Sequence, residues 1–375
     1  MSTLRVDAIR HNSATSDAIT TAADGTCTAR ITGMTGGGGL SHRNIFINGA
    51  MTVAQRGVSS TTNGYGSVDR FYVGYNAVQE APTQAQADIS AGTTPYTLGF
   101  RKSLKITNGN QTSGANAADY IFINMPQEAQ NLATSGWNYK SSSSFITLSF
   151  WIKSSVAQNF FFQFDIRDGT RQNYTMETGS LTADTWTKIT KVIPGNSNLT
   201  IDNDNGVGAY VTFGVFWGTN YTASMSLETW GAANDSAKTP VNPTNWYNTN
   251  DATLEITGIQ LEVGDTATSF EHRSFEEEED RCMRYYEEGS FSFRASGSIV
   301  RYCQAFNKRK RANPSMKVYY DSSKTTDGTI NSGNSNNSGW SRNPTGNNAF
   351  NIEKNTGSNG NGVDFAGYYT ADAEL

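Results

Sequence analysis

Charge is scarce in this sequence. Only 17% of its 375 residues are Asp, Glu, Lys or Arg, and they sum to −5. That balance gives no basic face of the kind a nucleic-acid backbone requires. Cysteine is scarce too. Cys27, Cys282 and Cys303 are odd in number and far apart, which argues against a disulfide framework. His11, His42 and His272 do not gather near them, so zinc-site spacing is missing. No run of about 18 apolar residues exists, and MSTLRVDAIRHNS lacks the apolar core of a secretory signal. The expectation is a soluble chain made in a cytoplasm, with no cofactor, no nucleic-acid partner and no membrane insertion.

What remains is Gly, Ser, Thr and Asn, with 11% aromatics. Aromatics suit pleated sheet faces and small polar residues suit tight turns, so the mixture predicts strands joined by many connections. The length allows two or three domains. Four parts emerge. Residues 1–41 are polar and end in a glycine run, Gly36 to Gly39, that resists a fixed backbone; no Lys-Ser/Thr pair follows to make it a phosphate loop. Such a segment cannot bury itself and is expected to order against a partner or another copy. Residues 42–270 carry period-two alternation: Ile146, Leu148, Phe150 and Ile152; Phe160, Phe162, Phe164 and Ile166; Val211, Phe213, Val215 and Trp217. That pattern predicts a β-sandwich or jelly roll. A short helix is expected over 126–133 with Pro126 in its first turn. In LEITGIQLEV (254–263) the apolar parity switches at Thr257-Gly258, which predicts a one-residue bulge.

Residues 271–288 read as a linking helix. Ser274 and Glu277 fit a capping box, and Glu276 to Asp280 occupy the first turns, where the helix dipole favours acids. At helical spacing Phe275, Cys282 and Tyr286 share a face. A catalytic use of His272 toward Cys282 would need an orienting group and an oxyanion site, which proximity in sequence does not supply. The cluster therefore reads as a joint, and the chain as a non-enzyme. Residues 289–375 form a second, smaller β region, with strands in FSFRASG and KVYYD. The cations of NKRKRANP (307–314) read as a solvated strand edge, with contact to phosphates or acidic sugars as the other use of such a run.

Two ligand sites are conceivable. The connection 218–251 offers Tyr221, Trp230, Trp246 and Tyr247 among Asn and Asp; these rings either stack on a sugar or close one end of the sandwich. In DNDNG (202–206), Asp202 and Asp204 are the residues a calcium ion would take, against a plain Asn/Asp turn.

NIFINGAMTVAQRG (44–57) with DRFY (69–72) resembles the opening motif of a family of bacteriophage virion proteins that resemble carbohydrate-binding jelly rolls and occur in tail fibres and similar appendages. TLSFWIKSS (147–155), TWTKIT (185–190) and ITGIQLEVGDTATSFEHRSFEEEEDRCMRYYE (256–287) match further family signatures, and KRANPSMKVYYDSSKTTDGTI (310–330) continues the match more loosely. MSTLRVDAIRHNSATSDAITTAADG is similar to leader segments that attach such proteins to a particle. The resemblance implies a viral structural protein of a phage virion, most often in a tail fibre, trimeric, attached to other virion proteins through residues 1–41 and contacting host surface polysaccharide. A capsid-attached head fibre or decoration protein with a purely architectural role is the alternative. One departure stands out: relatives carry leucine where this chain has Glu279. A lone buried carboxylate there would be costly, so the resemblance implies a partly covered face or an arginine partner.

Overall fold

The computed structural model describes residues 7–10, 19–21, 23, 27–29, 43–295, 299–332, 335–355 and 362–375. The glycine run, His11 and His42 lie outside them. The protein is mainly β, and its body is a jelly-roll sandwich of two six-stranded antiparallel sheets. The first runs Trp230–Ala232, Gln172–Ser180, Asn159–Ile166, Val207–Trp217, Tyr120–Glu128, Tyr72–Asn76. The second runs Thr187–Pro194, Phe145–Ser154, Thr253–Val263, Lys102–Thr107, Thr83–Asp88, Ser59–Ser60. The alternation read from the sequence supplies the interior. Phe150 of the second sheet meets Phe162 and Phe213 of the first edge-on, with centroids 5.2 and 4.7 Å apart. Burying each such side chain contributes on the order of 2–3 kcal/mol.

The expected bulge is present. Pairing with Phe145–Ser154 slips by one residue between Thr257 and Gln260, and Gly258 has φ +63°. Leu254, Ile256, Ile259 and Leu261 all reach the core, while Val263 at the strand end is 41% exposed. The helix expected over 126–133 is shorter. Pro126 pairs with Tyr210 inside the strand Tyr120–Glu128, and only Ala129–Ala133 is helical. Sheet pairing through Gln127 and Glu128 outlasts the local preference of a proline to open a helix.

A second cluster of buried residues, including Phe291, Val318, Trp340, Phe350 and Tyr369, belongs to the C-terminal region. One sheet there runs Tyr286–Arg294, Asp364–Asp372, Thr329–Ser332, Ser335–Ser338, with Ser315–Tyr319 also pairing to Asp364–Asp372; a smaller sheet runs Ile299–Ala305, Ala349–Asn355, Ser341–Pro344. In the N-terminal segment Ala8–Ile9, Ile19–Thr21 and Cys27–Ala29 form a small three-stranded sheet. Among the described residues no helix is long and apolar enough to cross a membrane.

Between the sandwich and the C-terminal region lies the helix Phe275–Met283, and its packing corrects two expectations. Ser274 caps it, its hydroxyl accepting from the Glu277 amide at 3.2 Å, but the Glu277 carboxylate turns to Arg281 at 3.0 Å. The face it buries is Glu278 and Cys282; Phe275 is 57% exposed and Tyr286 already opens the next strand. The carboxylate that needs a partner is therefore Glu278, and it has one in Arg273, with the Asn48 amide donating to it as well. Glu279 is half-buried, one position outside the contact.

The basic run is only in part a solvated edge: Arg309 is exposed, but its neighbours are engaged. Lys310 is wholly buried against Glu287, at 2.5 Å, and donates to the Met283 carbonyl; Glu287 also accepts from the amides of Asn307 and Lys308 and from the Tyr369 hydroxyl. Lys308 pairs with Asp280. Arg311 bonds the carbonyls of Asn205, Ala373 and Glu374, which ties sandwich, helix and C-terminal strand together. The motif residues near the chain start meet at the same place. Arg70 pairs with Glu374 and lies 3.4 Å over the Tyr285 ring, Arg56 lies 3.7 Å over Tyr286 and pairs with Asp372, and Gln55 donates to the Tyr286 carbonyl. This is the joint.

Candidate functional site

The four aromatics of the 218–251 connection separate. Trp246 and Tyr247 are wholly buried. Tyr247 stacks on Phe216 with centroids 4.0 Å apart, and its hydroxyl donates to Asp119 at 2.9 Å, so its ring face is not offered to a ligand. Trp230 is half-buried between Phe164 and Tyr174, with its indole N–H on the Pro194 carbonyl at 2.7 Å. Trp246 and Tyr247 close the sandwich and present no face to a sugar, while Trp230 packs against the rings of the sheet edge. Tyr221 differs. It is half-buried and lies 5.4 Å from Tyr120 and 5.5 Å from Trp217, in a group of rings on the outer face of the first sheet.

That outer face is built by register. One cross-strand row holds Tyr72, Asn124, Thr212, Gln163 and Thr175. Side chains within it pair as Thr212 hydroxyl to Asn124 at 3.0 Å and Gln163 amide to Thr175 at 2.9 Å. The next row holds Gly74, Phe122, Gly214 and Phe161. The glycines there act as floor. A methyl at Gly74 would come within 2.3 Å of the Phe122 ring, and one at Gly214 within 2.1 Å of the Trp217 indole nitrogen. Lacking side chains, they let both rings lie flat on the backbone, parallel to each other at 5.5 Å and 13°. Tyr120 lies 5.6 Å from Phe122, and Tyr72 stacks on the other side of Phe122 at 6.1 Å, with Tyr65 edge-on beyond it at 5.4 Å.

Sequence alternation placed Trp217 in the core with Val215. The structure puts it outside, because the pairing slips between Gly214 and Phe216. Val215 and Phe216 both enter the interior and Trp217 emerges. A glycine inside an apolar run was the available signal, the same one that marks the bulge at Gly258.

The connection 218–251 walls one side. Its Asn242 amide reaches the Trp217 carbonyl at 2.8 Å, and the Ala237 carbonyl accepts from Gln163 at 3.4 Å, burying the far half of the amide–hydroxyl row. The opposite wall is the turn bearing Asn63, whose side-chain amide oxygen accepts from the Tyr72 hydroxyl at 3.2 Å. Asp165 on this sheet pairs with Arg167 and Arg171, and Asp235 with Arg171 and Lys238, while Glu177, across from Phe161 at the far end of the glycine row, accepts from the Asn159 amide at 2.7 Å. Partial burial raises the Tyr120 phenol, and neighbouring Tyr221 and Tyr72 add to it, so the ring stays a neutral donor and acceptor.

The calcium candidate is a turn. The Asp204 carboxylate accepts from the Gly206 amide at 2.8 Å, and the backbone carbonyls of Asp204 and Gly206 accept from Gln130 and Ala129 at the start of the short helix. Asp202 is exposed, and among the described residues no three His, Cys, Asp or Glu side chains converge as a metal would need. His272 and Cys282 occupy different surroundings. The His272 ring nitrogen meets the Leu98 carbonyl at 2.9 Å between Phe100 and Phe270, whereas Cys282 is wholly buried, its thiol raised by desolvation and by nearby Asp69 and Glu278. A thiol held protonated in this way is a poor nucleophile.

No protein-family model and no curated protein matches the sequence. Solved structures similar to it include the enzymatically active domain of bacteriophage CBA120 tailspike protein 4, at 9% identity and TM-score 0.32, covering 59% of this chain and 21% of that one. The N-terminal cellulose-binding domain of Cellulomonas fimi β-1,4-glucanase C matches at 8% identity and TM-score 0.27, covering 57% of this chain and 99% of that one. A family 11 carbohydrate-binding module of a Clostridium thermocellum cellulosomal cellulase matches at 14% and 0.26, covering 58% and 98%. The chain thus spans about a fifth of the tailspike domain and nearly all of the two modules. Likeness at this level says nothing of ligand or activity.

Proposed function

We propose that the protein is a structural component of a phage particle, in a tail fibre or receptor-binding appendage, and that its sandwich contacts host surface glycan through the outer face of the first sheet. In this reading it is a binding and structural protein, not an enzyme. The observation that carries the reading is the glycine floor under Phe122 and Trp217. Rings laid flat and half-exposed beside amide and hydroxyl groups match a sugar, which offers an apolar ring face and polar edges. The motifs that resemble phage virion proteins supply the setting: a trimer, displayed on the virion, attached through residues 1–41.

Host-cell adsorption and polysaccharide affinity, measured on Trp217→Ala and Phe122→Ala beside the unaltered chain, test this. Adsorption and affinity are expected to fall while the melting temperature shifts little, because both rings are half-exposed. Unchanged adsorption by folded variants would reject the glycan contact and leave the architectural role of a head fibre or decoration protein.

A further inference from the structure

The same face restricts the kind of glycan it can hold. Resting on the reading above, we propose that it takes an uncharged glycan chain, laid lengthwise over the rings and held without ion pairs.

The rings form a continuous path rather than a single stacking point. From Tyr221 through Tyr120, Phe122 and Tyr72 to Tyr65, successive centroids are 5.4, 5.6, 6.1 and 5.4 Å apart. Tyr120 and Asn124, four residues apart on one strand, define about 13 Å of this path by strand rise, and the outer two rings extend it further. A monosaccharide would cover one step of such a path and leave the others wet, whereas an extended chain covers all of them. The 218–251 connection supplies Tyr221 at one end of the path and the turn after Asn63 supplies Tyr65 at the other, so the path follows the strand between them.

The polar groups along the path are neutral. They are the hydroxyls of Tyr72, Tyr120 and Tyr221, the Thr212 hydroxyl, and the amides of Asn63 and Asn124. At the Tyr65 end the guanidinium and carboxylate groups serve the joint, and at the Tyr221 end Lys238 is paired with Asp235. Arg70 and Glu374, whose side chains are each 5% exposed, pair with each other below Tyr65. Arg56, also on the Tyr65 ring at 5.3 Å, is 10% exposed and holds Asp372 and Glu374. A uronate, sialate or phosphate laid on the rings would lose water without gaining a free cation, and that exchange is unfavourable. A neutral chain has no such cost.

Titrations of the full-length protein with neutral oligosaccharides of increasing length (glucan, mannan and N-acetylglucosamine series) and with alginate, hyaluronate and polygalacturonate read this directly. The part of the tryptophan fluorescence change that is absent from Trp217→Phe reports occupancy, since the chain has seven tryptophans, and calorimetry serves the Trp217→Phe and Asn124→Ala variants. The expected result is affinity for a neutral series that rises with length and then levels off. It should change by less than about twofold between low and high salt, and fall roughly tenfold in Phe122→Ala. Binding confined to the acidic polymers, or weakening steeply with salt, would overturn the inference while leaving glycan contact standing. Neutral binding that is full with a single sugar would overturn the lengthwise path. Binding to no glycan, with Phe122 and Trp217 shielded in an oligomer of folded protein, would overturn both this inference and the function it rests on.

Discussion

Arg70 shows how much a single side chain carries here. It belongs to the motif DRFY, has φ +75°, and is buried against Glu374 while donating to the Pro126 carbonyl at 2.9 Å and covering Tyr285. Breaking a buried pair leaves one charge uncompensated, so Glu374→Ala is expected to cost about 3–5 kcal/mol, read as a lowered denaturant midpoint. Its neighbour Asp69 adds a pH dependence. Burial pushes its carboxyl up to about 6, and the Arg56 charge and the Gln55 hydrogen bonds only partly offset this. A carboxyl whose folded pKa lies above its unfolded value of 3.8 favours the fold below that value and loses this contribution as pH rises to about 6. Thermal unfolding between pH 4 and 6 should therefore show this loss in the unaltered protein and a flatter profile in Asp69→Asn. An equal slope in both would remove Asp69 as its source.

At the scale of elements, two bulges and one helix decide where side chains point. The bulge at Gly258 was legible because Leu254 and Ile256 disagree in parity with Ile259 and Leu261, and a glycine stands between them. The bulge after Gly214 was not used in the same way, because Val211, Phe213, Val215 and Trp217 keep a perfect alternation in the sequence. Only pairing with Tyr120–Glu128 shows that Val215 is the extra residue. The first bulge also has a local test. Gly258→Ala puts a side chain at φ +63° and within 2.6 Å of the Phe100 ring, so stability should drop by more than about 1 kcal/mol. The helix makes a paired prediction. Ser274→Ala should cost about 1 kcal/mol through the lost cap. Phe275→Ser, at an exposed position, should stay within about 0.5 kcal/mol. A large effect of the second variant in the isolated chain would mean that Phe275 is covered after all.

For the molecule as a whole, the sandwich and the C-terminal region meet through groups drawn from the entire chain: Gln55, Arg56 and Arg70 near one end, Asn205 in the middle, Tyr286, Arg311, Asp372 and Glu374 toward the other. These polar contacts couple the two cores. Calorimetry is expected to show one transition for both regions, and Arg311→Ala or Arg56→Ala is expected to separate it into two. Two transitions already present in the unaltered protein would mean that the joint only touches.

The sequence alone determined the layers, the bulge at Gly258 and the serine cap of the helix. Each of these depends on local periodicity or on a residue type with one conformational use. Tertiary structure alone decided which rings face water, since Tyr247 and Tyr221 stand in the same connection with the same chemistry. It also took Lys310 out of a run that reads as a surface edge and buried it against Glu287. Partners for a charge and neighbours for a ring come from distant strands, and no periodicity within a segment encodes them.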